Sequence, residues 1–279
     1  MKYGEHISVA YIGRCASFTA TAYGNIVRRV GLIIFGVPMR KIAFVSFMLL
    51  FIYCGVAGAT PSKIMRIPST DIQPYATFHL GIENNTTMFR QKDDGGHADP
   101  TIFGLTAGFL DAGTFRIEGG IDVREPNDFP MSFNAKVATT EEAFGKWGPI
   151  LAVGAFDVGT EKFQNDYNMV YGEASKTISF IGRFSVGYFS GNADMIKNVR
   201  GVTDNHGLML GFDRRMPEVN EKLWFGIDYM GTRSIYGAVT FGFGWSFSEK
   251  ATLVVGYVRY NDSAIAKASV MTWQAQFDF

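Results

Sequence analysis

The chain closes on Ser269-Val270-Met271-Thr272-Trp273-Gln274-Ala275-Gln276-Phe277-Asp278-Phe279, and the reading of these eleven residues decides the fold. Met271, Trp273, Ala275, Phe277 and Phe279 fall on one side. Val270, Thr272, Gln274, Gln276 and Asp278 fall on the other. Period-two alternation of this kind belongs to a β-strand with one apolar and one polar face. A strand at a sheet edge or in a sandwich would alternate in the same way, so the rest of the chain has to discriminate.

The alternation recurs upstream. Segments 75–83, 102–110, 114–124, 131–137, 180–189, 208–214, 223–230 and 236–247 repeat it, and segments 150–158, 168–175 and 252–260 carry it with mixed faces. With the terminal segment this predicts about twelve strands, the even number expected of a bacterial single-chain membrane barrel. No intervening segment has a helical period. The links after odd-numbered strands are mostly long (84–101, 125–130, 159–167, 190–207, 231–235 and 261–268), whereas 111–113, 176–179 and 248–251 are tight turns. The links 138–149 and 215–222 are longer than that rule asks. Short turns at one end and long loops at the other are the habit of outer-membrane barrels, and place both termini on the periplasmic side.

Two resemblances point the same way. A last strand ending in a terminal aromatic, here Phe279, resembles the closing strand of outer-membrane barrels, where that residue is part of the signal read by the barrel-insertion machinery. The stretch Thr60-Pro61-Ser62-Lys63-Ile64-Met65-Arg66-Ile67-Pro68-Ser69-Thr70-Asp71-Ile72-Gln73-Pro74, followed by a first strand, resembles a set of uncharacterised porin-like barrels of Gram-negative bacteria. That family implies an all-β, antiparallel transmembrane barrel in the cell outer membrane, bounded by lipid bilayer and lipopolysaccharide. It implies no substrate and no catalytic residue. A soluble β-sandwich is the structural rival, because it too would alternate.

The beginning of the chain is read as a leader. Met39-Arg40-Lys41, an apolar run over 42–53 and the small-x-small site Ala57-Gly58-Ala59 form a signal peptide at 39–59, cleaved before Thr60. An uncleaved membrane helix is the alternative, and Tyr53 argues against lipidation of Cys54. Residues 1–38 read as an over-extended start or an atypical leader, residues 60–73 as an extended periplasmic lead-in, and residues 74–279 as the barrel. Cys15 and Cys54, the two cysteines of the chain, both lie in the leader, so the mature chain has neither a disulfide framework nor a thiolate site. The chain holds 26 basic and 26 acidic residues. Removing the six basic and one acidic residues of the first 59 leaves 20 and 25, a charge of −5, and nothing in that balance suggests nucleic acid.

In a membrane barrel the polar face turns to the lumen. The predicted lumen-lining set is Arg116, Glu118, Asp122, Arg124, Lys136, Glu173, Arg183, Asp213, Asp228 and Gln274, with Glu83 and Asp278 on the same face. Paired charges filling a narrow interior and a selective water-filled path are both consistent with it. Arg116 and Arg124 are expected either beside Glu118 and Asp122 or along a path. The expected function is a narrow passive channel for small hydrophilic solutes. A closed structural barrel and a lipid hydrolase are the alternatives. His79, His97 and His206 stand in no recognisable nucleophile arrangement, and Gly207 and Leu208 follow His206 where an outer-membrane phospholipase would have its serine. Asp93, Asp94 and Asp99 match no calcium loop and read as a solvated acidic loop. No Walker, dinucleotide or zinc pattern occurs, so neither cofactor nor metal is expected.

Overall fold

The structure is a computed structural model that describes residues 62–90, 92–141, 143–266 and 269–279. The leader at 1–38 and 39–59 lies outside the described residues.

Twelve strands run in chain order: β1 (Phe78–Thr87), β2 (Thr101–Asp111), β3 (Phe115–Glu125), β4 (Met131–Thr139), β5 (Ile150–Gly159), β6 (Met169–Ile178), β7 (Gly182–Ser190), β8 (His206–Arg215), β9 (Leu223–Met230), β10 (Ala238–Ser248), β11 (Ala251–Tyr260) and β12 (Val270–Asp278). Each pairs antiparallel with the next. β12 returns to β1 with Glu83 opposite Gln274, so the ring is closed. Closure removes every sheet edge, which a strand in hydrocarbon requires because lipid offers no hydrogen bonds. Strand lengths of 8 to 11 residues fit a membrane-crossing barrel.

Burial separates barrel from sandwich. The apolar side of each strand, including Phe103, Leu105, Phe133, Val153, Val186, Leu210, Phe241 and Phe243, is the exposed side. The polar side is buried, and in β12 the two alternate without a break. A sandwich would bury the first set and wet the second. At the seam the Phe279 ring stacks on Phe78 at 5.9 Å, and the two backbones exchange hydrogen bonds.

Three departures have local causes. β1 begins at Phe78, not at residue 75, because Pro74, Tyr75 and Ala76 form the bend that delivers the chain to the wall. Ala76 has φ +58° and donates its N–H to the carbonyl of Gly108. Phe180, expected in a strand, sits at φ +70° in the β6–β7 turn. β5 carries an extra residue opposite β4: Phe133 pairs with Val158 and Ala135 with Ala155, leaving two residues of β5, Phe156 and Asp157, to face Asn134. The bulge turns both Phe156 and Asp157 inward, with Asp157 at φ +50°.

The largest correction concerns residues 60–73. Where described, they are not a lead-in beneath the barrel. Residues 62–74 form a strap folded into the lumen, with Ile64, Met65, Ile67, Ser69, Thr70, Ile72 and Gln73 all buried. A small hairpin starts it: Ile64 N–H bonds to the Ile67 carbonyl and Ser69 N–H to the Ser62 carbonyl, each at 3.0 Å. The wall is shaped to receive it. A Cβ on Gly108 would lie 2.1 Å from the Pro74 carbonyl oxygen and 2.4 Å from that of Gln73, so only glycine lets the strap leave the lumen there. A Cβ on Gly256 would meet the Met65 methyl at 2.3 Å.

Candidate functional site

The lumen has two unlike halves. On the side of β6 to β9 and β11, inward Met169, Tyr171, Phe189, Met209, Met230 and Val254 pack with Ile64, Met65 and Ile67 of the strap into one apolar cluster. Burying these strap side chains seats it by roughly 1.5–3 kcal/mol each. The other side, built from β1 to β5 and β12, is polar and keeps an open cavity of about 630 Å³.

The strap is also tied by charged and polar groups of the wall. One oxygen of Asp228 accepts the backbone N–H groups of Met65 at 2.9 Å, Arg66 at 2.6 Å and Ile67 at 3.0 Å. These are the donors that the tight hairpin turns outward, and a carboxylate is the acceptor that binds such N–H groups most strongly. Gln274 donates its amide N–H to the Met65 carbonyl at 2.8 Å. Lys136 reaches the carbonyls of Ser62 at 3.1 Å and Ser69 at 2.9 Å. It also pairs with Glu118 at 3.0 Å, both side chains being 4 % exposed. The second Glu118 oxygen accepts the Gln73 N–H at 2.6 Å. Arg183 forks onto Asp213 and places Nη1 2.5 Å from Asp71 of the strap. Thr70 and Ser175 share a hydroxyl hydrogen bond of 2.5 Å, and Lys63 pairs with Glu83.

Of the ten predicted residues, Glu118, Lys136, Arg183, Asp228 and Gln274 thus bind the strap directly. Asp213 acts through Arg183 and also accepts from the Trp224 indole at 3.3 Å. Glu173 is buried beside Ser185, with neither carboxylate oxygen in a well-formed hydrogen bond. Asp122 accepts the Asn134 amide at 3.1 Å. The two arginines pair with neither Glu118 nor Asp122. Arg116 is at the short-turn rim with Asp111 at 2.9 Å, and Arg124 pairs with Asp157 at 2.9 Å. Same-face residues on one strand stand about two strand rises apart, roughly 6.6 Å, whereas a cross-strand neighbour is closer. Asp111 is the register partner of Arg116, and the β5 bulge aims Asp157 at Arg124.

The polar cavity starts between the long loops, at His97, Asp99, Asn127 and Ile265, and follows the wall down to His79, Gln276 and Glu118. Along β1 that is Asn85 to His79, roughly 20 Å of strand. The strap lines it through Ser62, Lys63, Met65, Arg66 and Pro68, and farther along the strap Gln73 spans from Glu118 to Thr77 and Asp278. A second cavity of about 940 Å³ opens at the short-turn end, bordered by Asp71, Arg183, Asp213 and Trp224. No residue lines both cavities. The strap borders both, the first through Ser62, Lys63, Met65, Arg66 and Pro68 and the second through Asp71.

Two groupings were not foreseen. His79 Nδ1 is 2.9 Å from Asp278 Oδ1, joining β1 to β12 across the seam. Tyr236 donates its hydroxyl to Asp157 at 2.7 Å, completing an Arg124–Asp157–Tyr236 chain in the cavity wall. Burial, and next the Asp157 carboxylate, hold the Tyr236 hydroxyl pKa well above the ordinary phenol value. The apolar half of the lumen did leave a signal: Met169, Met209 and Met230 occupy the face that elsewhere carries polar residues, and Ile64, Met65 and Ile67 crowd the segment before β1.

No protein-family model and no curated protein matches the chain. Among solved structures it is similar to a KdgM porin, with TM-score 0.49 and 8 % identity over 72 % of this chain and 99 % of that one. It is also similar to a NanC porin, with TM-score 0.44 and 10 % identity over 72 % and 98 %. The Acinetobacter baumannii outer membrane protein Omp33 matches with TM-score 0.39 and 10 % identity over 73 % and 98 %.

Proposed function

We propose that the protein is a bacterial outer-membrane channel for small hydrophilic solutes, held closed in this state by its own N-terminal strap. The observation that carries this is the lining of the polar cavity. The cavity follows one wall from the long loops to His79, and five strap residues, Ser62, Lys63, Met65, Arg66 and Pro68, line it inside the barrel. Outside the apolar cluster, the strap is bound by hydrogen bonds and ion pairs, which water can replace on release. In this reading both termini face the periplasm, the long loops face outward, and lipid and lipopolysaccharide surround the apolar band. Phe279 is then presented at the seam for the insertion machinery.

The apolar seat of Ile64, Met65 and Ile67 favours a second reading, a closed structural barrel whose strap never leaves. One experiment decides between them. The Thr70 and Ser175 hydroxyls are 2.5 Å apart, so the pair Thr70→Cys and Ser175→Cys can close a disulfide that pins the strap. In planar bilayers the reduced double variant should show discrete openings and the oxidised one none. A reduced variant and wild-type protein that never conduct would overturn the channel reading. His79 and Asp278 are read as a seam tie and not as a catalytic pair, because the imidazole meets no hydroxyl among the described residues.

A further inference from the structure

Most charges that line the polar cavity are already matched. Lys63 pairs with Glu83, Arg124 with Asp157 and Lys136 with Glu118. Asp99, at the mouth, is 3.9 Å from His97 and open to solvent. Two groups remain without an opposite charge in ion-pair contact. The Arg66 guanidinium lies 5.2 Å over the Tyr260 ring and donates to the Ile235 carbonyl at 2.9 Å, and no carboxylate pairs with it among the described residues. Asp228, on the wall strand β9 beside the strap, directs one oxygen to three backbone N–H groups. The Asp122 carboxylate takes only the Asn134 amide, with no cation in ion-pair contact.

Both groups face the same cavity and both belong to its outer half. Asp122 is three residues from the long-loop end of β3, and Arg66 lies against the last residue of β11, with β12, β1 and β2 between those two strands. A partly buried charge without a partner is unfavourable, and it is repaid by whatever brings the missing charge. One molecule carrying an ammonium at one end and a carboxylate at the other would satisfy both for a single loss of translational freedom. Neutral solutes would satisfy neither, and simple anions or cations only one. A volume of about 630 Å³ lies within the ~300–1,000 Å³ of small-molecule sites.

We infer that the polar cavity is a binding site for small zwitterions of the amino-acid or short-peptide type, with Asp122 receiving the ammonium and Arg66 the carboxylate. The inference deepens the channel reading, and the test separates the two because it measures binding and not current. Purified full-length barrel in detergent is titrated calorimetrically with alanyl-alanine, its N-acetyl derivative and its C-terminal amide. The free dipeptide should bind about tenfold tighter than either blocked form, the worth of one charged hydrogen bond. Asp122→Asn should abolish the preference over the N-acetyl compound alone, and Arg66→Gln the preference over the amide alone. Equal affinity for the three compounds in wild-type protein, or binding of none, overturns the inference without touching the channel. A barrel that prefers the free dipeptide and never conducts supports the site and sinks the channel.

Discussion

Replacing Asp228 with alanine should unseat the strap while leaving the barrel wall intact. The carboxylate accepts three backbone N–H groups at 2.9, 2.6 and 3.0 Å, and all three belong to the buried hairpin. A hydrogen bond to a charged acceptor is worth ~1.5–3 kcal/mol, and a buried donor left unpaired costs ~1–3 kcal/mol. The three bonds share one oxygen and water reaches part of the vacated space, so their loss does not add in full. An overall weakening of about 3 kcal/mol follows, two decades in the equilibrium between seated and released strap. Hydrogen exchange reads this directly. The amides of Met65, Arg66 and Ile67 should exchange about 100-fold faster, while amides paired between β3 and β4 keep their protection. In bilayers the open fraction should rise by the same factor until it saturates. Unchanged exchange at these three amides would refute the idea that Asp228 holds the strap. Equal acceleration throughout the wall would show a general loosening instead.

Two further outcomes follow from buried charge. Lys136→Met leaves Glu118 in the lumen without its cation and strips two strap carbonyls of a donor, so unfolding in detergent should come ~3–5 kcal/mol earlier. Adding Glu118→Gln should restore much of it, and a single variant as stable as wild type contradicts the pairing. Tyr236 titrates later in the folded than in the unfolded chain, so above about pH 10 the unfolded state loses its proton first. Its contribution is therefore complete below that pH and declines as pH rises toward the folded pKa. The stability curve of Tyr236→Phe should run parallel to wild type up to about pH 10 and fall less steeply beyond it, and curves parallel throughout would refute the buried tyrosine's role.

The wall was legible in the sequence because a membrane barrel writes its fold as alternation. All twelve strands occur where the period-two segments are, with ends displaced by a few residues. The segments that read poorly each have a physical cause. In β5 the bulge changes the phase between Ala155 and Val158, so a single parity cannot describe it. In β6 and β11 the inward face is itself apolar, through Met169, Tyr171 and Val254, because it meets the strap and not water. The strap escaped because a segment that supplies hydrogen-bonding groups to a wall needs no period of its own. Lumen charges could be named by parity, but their partners could not: Arg124 meets Asp157 only through the bulge, and Arg183 meets Asp71 only because the strap passes it.

The bond between Gln274 and the Met65 carbonyl also bears on how the ring comes to close. Met65 and Gln274 are 209 residues apart in the chain, and forming that contact carries the full entropy of a long loop. Gln274 is also the register partner of Glu83 on the opposite side of the seam. Once Met65 is docked, Glu83 is tethered through 83 − 65 = 18 residues to the strand it has to find. A loop of that length closes for about 2 kcal/mol less than one of two hundred residues. The strap thus converts the least local pairing in the molecule into a nearly local one, and a chain lacking it should zip its seam more slowly than it folds its hairpins.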